Sequence, residues 1–477
     1  MNKLYKNSAL YLVATLAVKA TSFLLVPFYS YLISPSEYGY VYIVISFVTF
    51  MSLFVTCSLH GAVNRFYWEC SDKDDVNRMY STITYMVLII AIAITFIMLI
   101  LSEEISGLLS LPVIYLRIAV FSSVFQCFYR LITALLYVKQ EAKKISITSI
   151  SVGVTQILIQ LSMVLSMSDK AMAMILSQLI CALLMFGIFL VFSRPYLRLA
   201  FDVKRSWIYF KYSICQIPSD VSVWLMSFSD RMMMNKMKGS ALTGIYGMGQ
   251  TLGSIPKIVY LSINSAYVPF VFGCYKEIDK GNEVKRSELK KHTTYVFSMV
   301  TVMVSLIIIF SNNVISILDQ RYSQASVVMV VMLFAMLIDC YRTMFLNPLS
   351  YNIKYIKVAS IIWSTAAAIN IGLNYYLIPI YSIYGACFAM IFSYSLTFLM
   401  IIFFARKAYY VDYDIKKMLK VFIISILSFS LFFLGTSLYL LPIKIASSLI
   451  YIYIILRIIE INYKEISKKY IKRLKNN

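Results

Sequence analysis

The chain has 477 residues, 60% of them hydrophobic and 14% charged, with a mean hydropathy of +0.77. A soluble domain carries about a quarter charged residues, so this composition excludes a water-soluble enzyme and points to membrane segments. The net charge of +22 would suit a nucleic-acid binder, but its placement along the chain follows membrane topology instead.

Fourteen apolar segments run in order at about residues 8–33, 38–63, 80–101, 113–137, 146–167, 171–193, 212–235, 241–270, 293–311, 326–349, 359–378, 382–404, 418–440 and 442–460. Most are continuous apolar runs near 20 residues, enough to cross a hydrocarbon core of about 30 Å. The first follows MNKLYKNS and lacks the small-residue cleavage site of a secretory signal, so it reads as a retained span. The expectation is an all-α, polytopic membrane protein with about fourteen transmembrane helices.

Connections alternate between short, weakly charged turns and longer basic ones. Of the 44 Lys and Arg, 33 fall on the side of both termini, five on the other side and six within spans. The positive-inside rule therefore predicts cytoplasmic termini. The eight cysteines form no CxxC pair, and only two histidines are present, so neither a disulfide framework nor a metal site is expected.

An internal repeat is visible. At an offset of 214, Tyr137, Lys143 and Ser146 match Tyr351, Lys357 and Ser360, and Gln156 and Gln160 match Asn370 and Asn374. Near the second and eighth spans, Tyr38-Gly39-Tyr40 resembles Thr243-Gly244-Ile245 at an offset of 205. Parallel repeats of this kind imply two six-helix lobes in pseudo-twofold arrangement, residues 1–200 and 205–404. Residues 405–477 then add two extra transmembrane helices and a basic cytoplasmic tail.

The midpoint, from Tyr212 to Pro269, is the most unusual stretch. Two segments long enough to span meet at a polar hinge, Asn235 to Ala241, yet they carry Asp220, Asp230, Arg231 and Lys257. A charge at membrane depth costs about 2.5–3.5 kcal/mol on insertion scales, so it normally faces a bundle interior or a water-filled cavity. Pro218 and Pro256 favour kinks there.

Four stretches carry a resemblance. Leu32-Ile33-Ser34-Pro35-Ser36-Glu37-Tyr38-Gly39 is similar to an L-x-x-P-x-E-Y-G turn, and Gly61 to Tyr67 to a G-x-x-x-x-R-F/Y ending. Pro218 followed by Asp230-Arg231 is similar to a P…D-R helix, and Gly244-Ile245-Tyr246 to a G-x-Y start. Their order resembles the polysaccharide-transport branch, with Wzx-type O-antigen flippases, of the multidrug/oligosaccharidyl-lipid/polysaccharide flippase superfamily. The resemblance covers about residues 5–410. It implies a bacterial inner-membrane transporter that moves an undecaprenyl-pyrophosphate-linked oligosaccharide from the cytoplasmic to the periplasmic leaflet by alternating access. It also implies membrane lipids as surroundings, and a polymerase and chain-length regulator of the same pathway as partners. No nucleic acid and no cofactor are expected.

Candidate residues follow from charge at depth. Lys19, near the middle of the first span, and Lys257 are expected to hold the pyrophosphate, with Arg231, Arg117 and Arg342 next; Arg130 shares the fourth span with Arg117. For Lys19 the alternative is a buried salt bridge to Asp220 or Asp230. Asp230 and Arg231, about 100° apart on a helix, cannot share a face, so one faces a cavity and the other ties down a neighbour. Asp339 and Arg342 are spaced for a local ion pair; the alternative is ion coupling, for which Asp220, Asp230 and Asp339 are the candidates. Arg65 is either a helix-end anchor or a guard for an anionic headgroup. Trp224 either belongs to an interfacial aromatic belt or, lying deep in the seventh span, offers a sugar a stacking face.

Six basic residues in the spans against three acids leave an excess of three positive charges, which suits a pyrophosphate better than a cationic drug. Competing readings are a same-fold, cation-coupled exporter of drugs or metabolites, and a polysaccharide polymerase. The polymerase reading lacks a large periplasmic loop. No nucleophile–base pair, metal cluster or phosphate-binding loop appears in the sequence, so no catalytic residue is expected.

Overall fold

The computed structural model describes residues 23–434 and 438–459. Lys19 lies outside them. The described chain is all α, with short 3-10 turns and no strand. In order, the helices are α1 (Val26–Leu32), α2 (Pro35–Thr56), α3 (Leu59–Phe66), α4 (Lys73–Ile100), α5 (Ser102–Leu109), α6 (Val113–Val138) and α7 (Ala142–Ser166). Then come α8 (Lys170–Ser193), α9 (Val203–Ile214), α10 (Ile217–Lys238), α11 (Ser240–Gly253), α12 (Ile255–Ile278) and α13 (Glu283–Ile315). The last are α14 (Ala325–Phe345), α15 (Asn347–Tyr351), α16 (Ile356–Tyr381), α17 (Ile383–Ala408), α18 (Ile415–Ser428) and α19 (Leu441–Ile458).

Among the described residues, ten helices are long and apolar enough to cross a membrane. The chain is a multi-pass membrane protein. The other four predicted segments show where fourteen is approximate. The first lies mostly outside the described residues. The seventh, α10, carries too many charges to count as apolar. The eighth is divided into α11 and α12 at Ser254, just before Pro256, whose ring removes a helix hydrogen bond. The thirteenth ends as an α-helix at Ser428 and tightens into a 3-10 turn over Phe429–Leu434.

Helix starts are set by polar caps. Ser34 and Glu37 form a reciprocal capping box in front of α2, with Pro35 in the first helical turn. Asp72, Asp169, Asp202, Asn282 and Asp414 each accept a backbone N–H at the start of α4, α8, α9, α13 and α18. Such a cap is worth about 1 kcal/mol. The second predicted segment, 38–63, is interrupted. Cys57 and Ser58 adopt left-handed backbone at φ 42° and 55°, and α3 starts in a new direction.

The described residues group into two compact units. One holds those up to Leu252 with Leu318–Val328 and Ser360–Thr397; the other holds Gly253–Ile317, Met329–Ala359 and those from Phe398 onward. In the first, α3, α4 and α6 share a core of Leu59, Ile83, Val87, Leu131, Ile132 and Leu135, all fully buried. The Tyr80 hydroxyl pairs there with Ser193 at 2.8 Å. In the second, Phe297 of α13 stacks on Tyr341 of α14 at 4.2 Å, and the Ser425 and Tyr451 hydroxyls meet at 2.7 Å between α18 and α19.

Within the first unit α2 and α11 pack backbone to backbone through glycines. A Cβ on Gly39 would strike the Ser240 carbonyl, and one on Gly244 would strike the Pro35 carbonyl. The two contacts are reciprocal. Gly39 and Gly244 are repeat partners at an offset of 205, and Pro35 and Ser240 share that offset. Self-complementary pairing of this kind is what a local two-fold axis produces.

Candidate functional site

Close approach of α2 and α11 brings a polar cluster together at membrane depth, where α10 supplies its charges. Asp230 is 2% exposed and accepts the Tyr246 hydroxyl at 2.5 Å. Arg231 donates from Nε to Gln250 Oε1 at 2.5 Å. Tyr246 and Gln250 are one helical turn apart on α11, so both members of the acid–base pair are tied to the same neighbouring helix. The two side chains nevertheless diverge. Asp230 is enclosed by protein, whereas Arg231 lines a cavity of about 270 Å³. Tyr29, Tyr38, Tyr42, Gln160 and Thr251 line the same cavity, with aliphatic side chains completing the wall.

The Arg231 guanidinium lies 4.9 Å over the Tyr42 ring and 5.4 Å from the Phe228 ring. These aromatic faces stabilise the cation without neutralising it. Tyr42 is itself fixed by a 3.0 Å hydrogen bond to Thr251. The Tyr29 hydroxyl is buried and has no hydrogen-bond partner among the described residues. A cation, an amide and several phenol rings around one opening can bind a polar, hydroxyl-rich group.

A second charged cluster stands in the other unit. Lys257 of α12 and Arg342 of α14 both pair with Asp339. Lys257 Nζ lies 2.8 Å from one carboxylate oxygen. Arg342 Nε donates to the other at 2.9 Å, and a second guanidinium nitrogen also contacts that oxygen. The Asp339 and Arg342 side chains are 1% and 3% exposed, whereas that of Lys257 is 37% exposed. Two cations share one carboxylate, and Lys257 is the more exposed of the two. Pro256 in the first turn of α12 positions it.

The remaining predicted residues are dispersed. Asp220 accepts the Ser58 hydroxyl at 2.6 Å and braces the break between α2 and α3. Arg117 is exposed, with Nε 3.3 Å from Ser102 Oγ. Arg65 is exposed and pairs at 2.6 Å with Glu69 of the 3-10 turn that follows α3. Trp224 is buried; its ring packs against Phe50 and Phe228, and Nε1 donates to the Ser46 carbonyl at 3.1 Å. In this structure its faces are covered by protein.

Tyr42 and Gln250 were not singled out from sequence, and Tyr246 was noted only as part of the Gly244-Ile245-Tyr246 motif. The available signal was Gln250 itself, an amide inside an apolar segment one turn from a tyrosine. A further polar ladder was partly visible as the repeat pair Asn370 and Asn374. Asn374 donates to Asn370 at 3.0 Å, and Asn370 to Ser393 at 3.2 Å, with all three side chains buried.

The comparisons with known proteins bear on the family and the fold. The model of the polysaccharide biosynthesis protein family matches residues 30–318, more than half of the chain. The chain belongs to that family. An uncharacterized membrane protein of Haemophilus influenzae is 24% identical over 277 residues, 57% of this chain. The match spans 66% of that relative, just under two thirds of its length. In fold, the chain is similar to the lipid II flippase MurJ in an inward closed conformation, with a TM-score of 0.72 and 14% identity over 95% of this chain and 98% of that one. It is also similar to the MATE multidrug transporter DinF-BH, at a TM-score of 0.63 and 15% identity over 86% and 97%. An inward-facing MATE transporter of the MOP superfamily gives 0.60 and 11% identity over 87% and 96%. The fold is thus the one shared by MurJ and the MATE transporters.

Proposed function

We propose that this chain is a flippase that carries a polysaccharide repeat unit linked to undecaprenyl pyrophosphate from the cytoplasmic to the periplasmic leaflet of a bacterial inner membrane. The observation that carries the reading is the Lys257–Asp339–Arg342 cluster, with its half-exposed ammonium, within a member of the polysaccharide biosynthesis family. A pyrophosphate carries at least two negative charges and binds ammonium and guanidinium groups through charge-assisted hydrogen bonds. In the second unit Lys257 is the headgroup ligand, with Lys19, outside the described residues, as the further candidate for that role; in the first unit Arg231 and its tyrosine-lined cavity are suited to a saccharide. Asp230 and Asp339, with Asp220 at the helix break, are the acids available to couple transport to an ion gradient. Two six-helix lobes alternate access, both termini are cytoplasmic, and the product is handed to a polymerase and its chain-length regulator.

A second reading, export of drugs or metabolites, is favoured by the fold shared with the MATE transporters. The cation excess argues against it for cationic substrates. Deleting the gene and analysing lipid-linked intermediates separates the readings. The flippase reading expects complete undecaprenyl-linked units to accumulate on the cytoplasmic leaflet and polymerised surface glycan to disappear. Unchanged surface glycan overturns it. Single units that reach the periplasm without polymer indicate a polymerase.

A further inference from the structure

Apart from both clusters, the second unit holds a basic cavity at the end of its helices that the Lys and Arg count assigns to the cytoplasm. Its volume is about 240 Å³, and α13, the start of α18 and the chain just after α19 enclose it. Lys290, Lys291 and Lys417 contribute three ammonium groups, Ser287 and Thr294 add hydroxyls, and Asp414 supplies one carboxylate. The site is placed by helix length. With 33 residues, α13 is about 50 Å long, well beyond a hydrocarbon core of about 30 Å. Its first turns read EVKRSELKKH, and a continuous apolar run begins only near Val296. Lys290, Lys291 and Thr294 therefore lie where water gives way to lipid.

The charges are not balanced locally. Lys290 pairs with Asp412 at 2.7 Å, and Lys417 Nζ stands 3.9 Å from Asp414. The Asp414 carboxylate also caps α18 by accepting the Lys417 backbone N–H at 3.2 Å. Lys291 lies 5.8 Å from the Tyr295 ring and has no carboxylate partner among the described residues. Among the described residues, the three ammonium groups outnumber Asp412 and Asp414, and Lys291 is the one that no carboxylate meets.

We propose that this cavity binds the phosphodiester headgroup of an anionic phospholipid, such as phosphatidylglycerol, from the cytoplasmic leaflet. Lys291 supplies a cation for the single negative charge of a phosphodiester. Ser287 can donate to its phosphate oxygens, and Asp414 can accept from the glycerol hydroxyls. Basic pockets between transmembrane helices on the cytoplasmic side suit anionic headgroups generally. The acyl chains stay in the bilayer along the apolar part of α13. The inference does not depend on which saccharide the protein moves.

The test uses the full chain purified in nanodiscs of phosphatidylcholine with increasing phosphatidylglycerol, and counts retained lipid by native mass spectrometry after transfer to detergent. The expected result is one saturable phosphatidylglycerol that phosphatidylcholine does not replace. Each lysine removed lowers its affinity about five-fold, so Lys291→Gln with Lys417→Gln lowers it about thirty-fold, while the matching Lys→Arg variants retain it. Inorganic phosphate at millimolar concentration leaves the lipid bound. The proposal fails if phosphatidylcholine is retained equally, if the glutamine variants bind like the unmodified protein, or if free phosphate displaces the lipid. It also fails if undecaprenyl pyrophosphate competes for the same position, because the cavity then belongs to the transported substrate. The lipid comparison on the unmodified protein decides the matter even if a variant does not fold.

Discussion

Lys257 and Asp339 share an ion pair but have different tasks, and substitution separates them. In Lys257→Ala the buried carboxylate keeps Arg342, so the fold is retained, but the exposed cation is lost. Headgroup binding falls by about 1.5–3 kcal/mol, roughly ten- to a hundred-fold, and Lys257→Arg preserves it. Surface-glycan restoration at matched expression is the measurement; full restoration by Lys257→Ala removes this residue from the site. Asp339→Ala does the reverse. It strands a guanidinium that is 3% exposed and costs about 3–5 kcal/mol of stability, visible as reduced thermal stability in detergent. A further test falls on Asp230. Asp230→Asn keeps an acceptor for the Tyr246 hydroxyl but removes the charge. If Asp230 couples transport to a gradient, this variant is made at normal levels yet fails to restore glycan. Restoration equal to the unmodified protein makes it a structural residue. The Asp339–Arg342 pair was legible because three residues apart on a helix means one face. The contribution of Lys257 was not, because local spacing says nothing about which distant helix supplies a third charge.

At the scale of elements, the short motifs acquire physical explanations. The stretch Ser34-Pro35-Ser36-Glu37 is a capping box, and Glu37 also accepts the Lys170 backbone N–H at 3.2 Å, tying α2 to the start of α8. Gly39 and Gly244 are glycines because each faces a backbone carbonyl of the other helix. Backbone cannot move aside as a side-chain tip can. Gly39→Ala and Gly244→Ala should each destabilise by about 1–3 kcal/mol, and by similar amounts because the contacts are reciprocal. Gly372→Ala in α16 meets open space and should be neutral or stabilising by about 1 kcal/mol. Thermal unfolding of the three variants in one detergent tests this, and equal melting temperatures would refute it. Helix breaks were less legible. Pro256 announced the one before α12, but Cys57 and Ser58 are not residues that signal a left-handed turn. Their conformation depends on tertiary contacts, including the bond from Ser58 to Asp220.

At the scale of the molecule, hydrophobicity made the multi-pass architecture legible, since about 20 apolar residues in succession have few other uses. It was least reliable where charge and proline interrupt the runs, in the segments that supply Asp230, Arg231 and Lys257 to the two polar clusters. Orientation rests on a different signal, the 33 Lys and Arg on one side against five on the other. The two ends of the α13 and α14 pair offer its test. Glu283, exposed at the start of α13, belongs to the basic side. Gln324, exposed just before α14, belongs to the opposite side. In a cysteine-free background, Gln324→Cys should react with a membrane-impermeant maleimide added to whole cells whose outer membrane has been made permeable. Glu283→Cys should react only after the inner membrane is opened. Both side chains are exposed, so both variants should fold. The reverse pattern would invert the protein and move the basic cavity of the second unit to the outer leaflet. Labelling at both positions would mean that α13 does not cross the bilayer, and the span count would fall with the orientation.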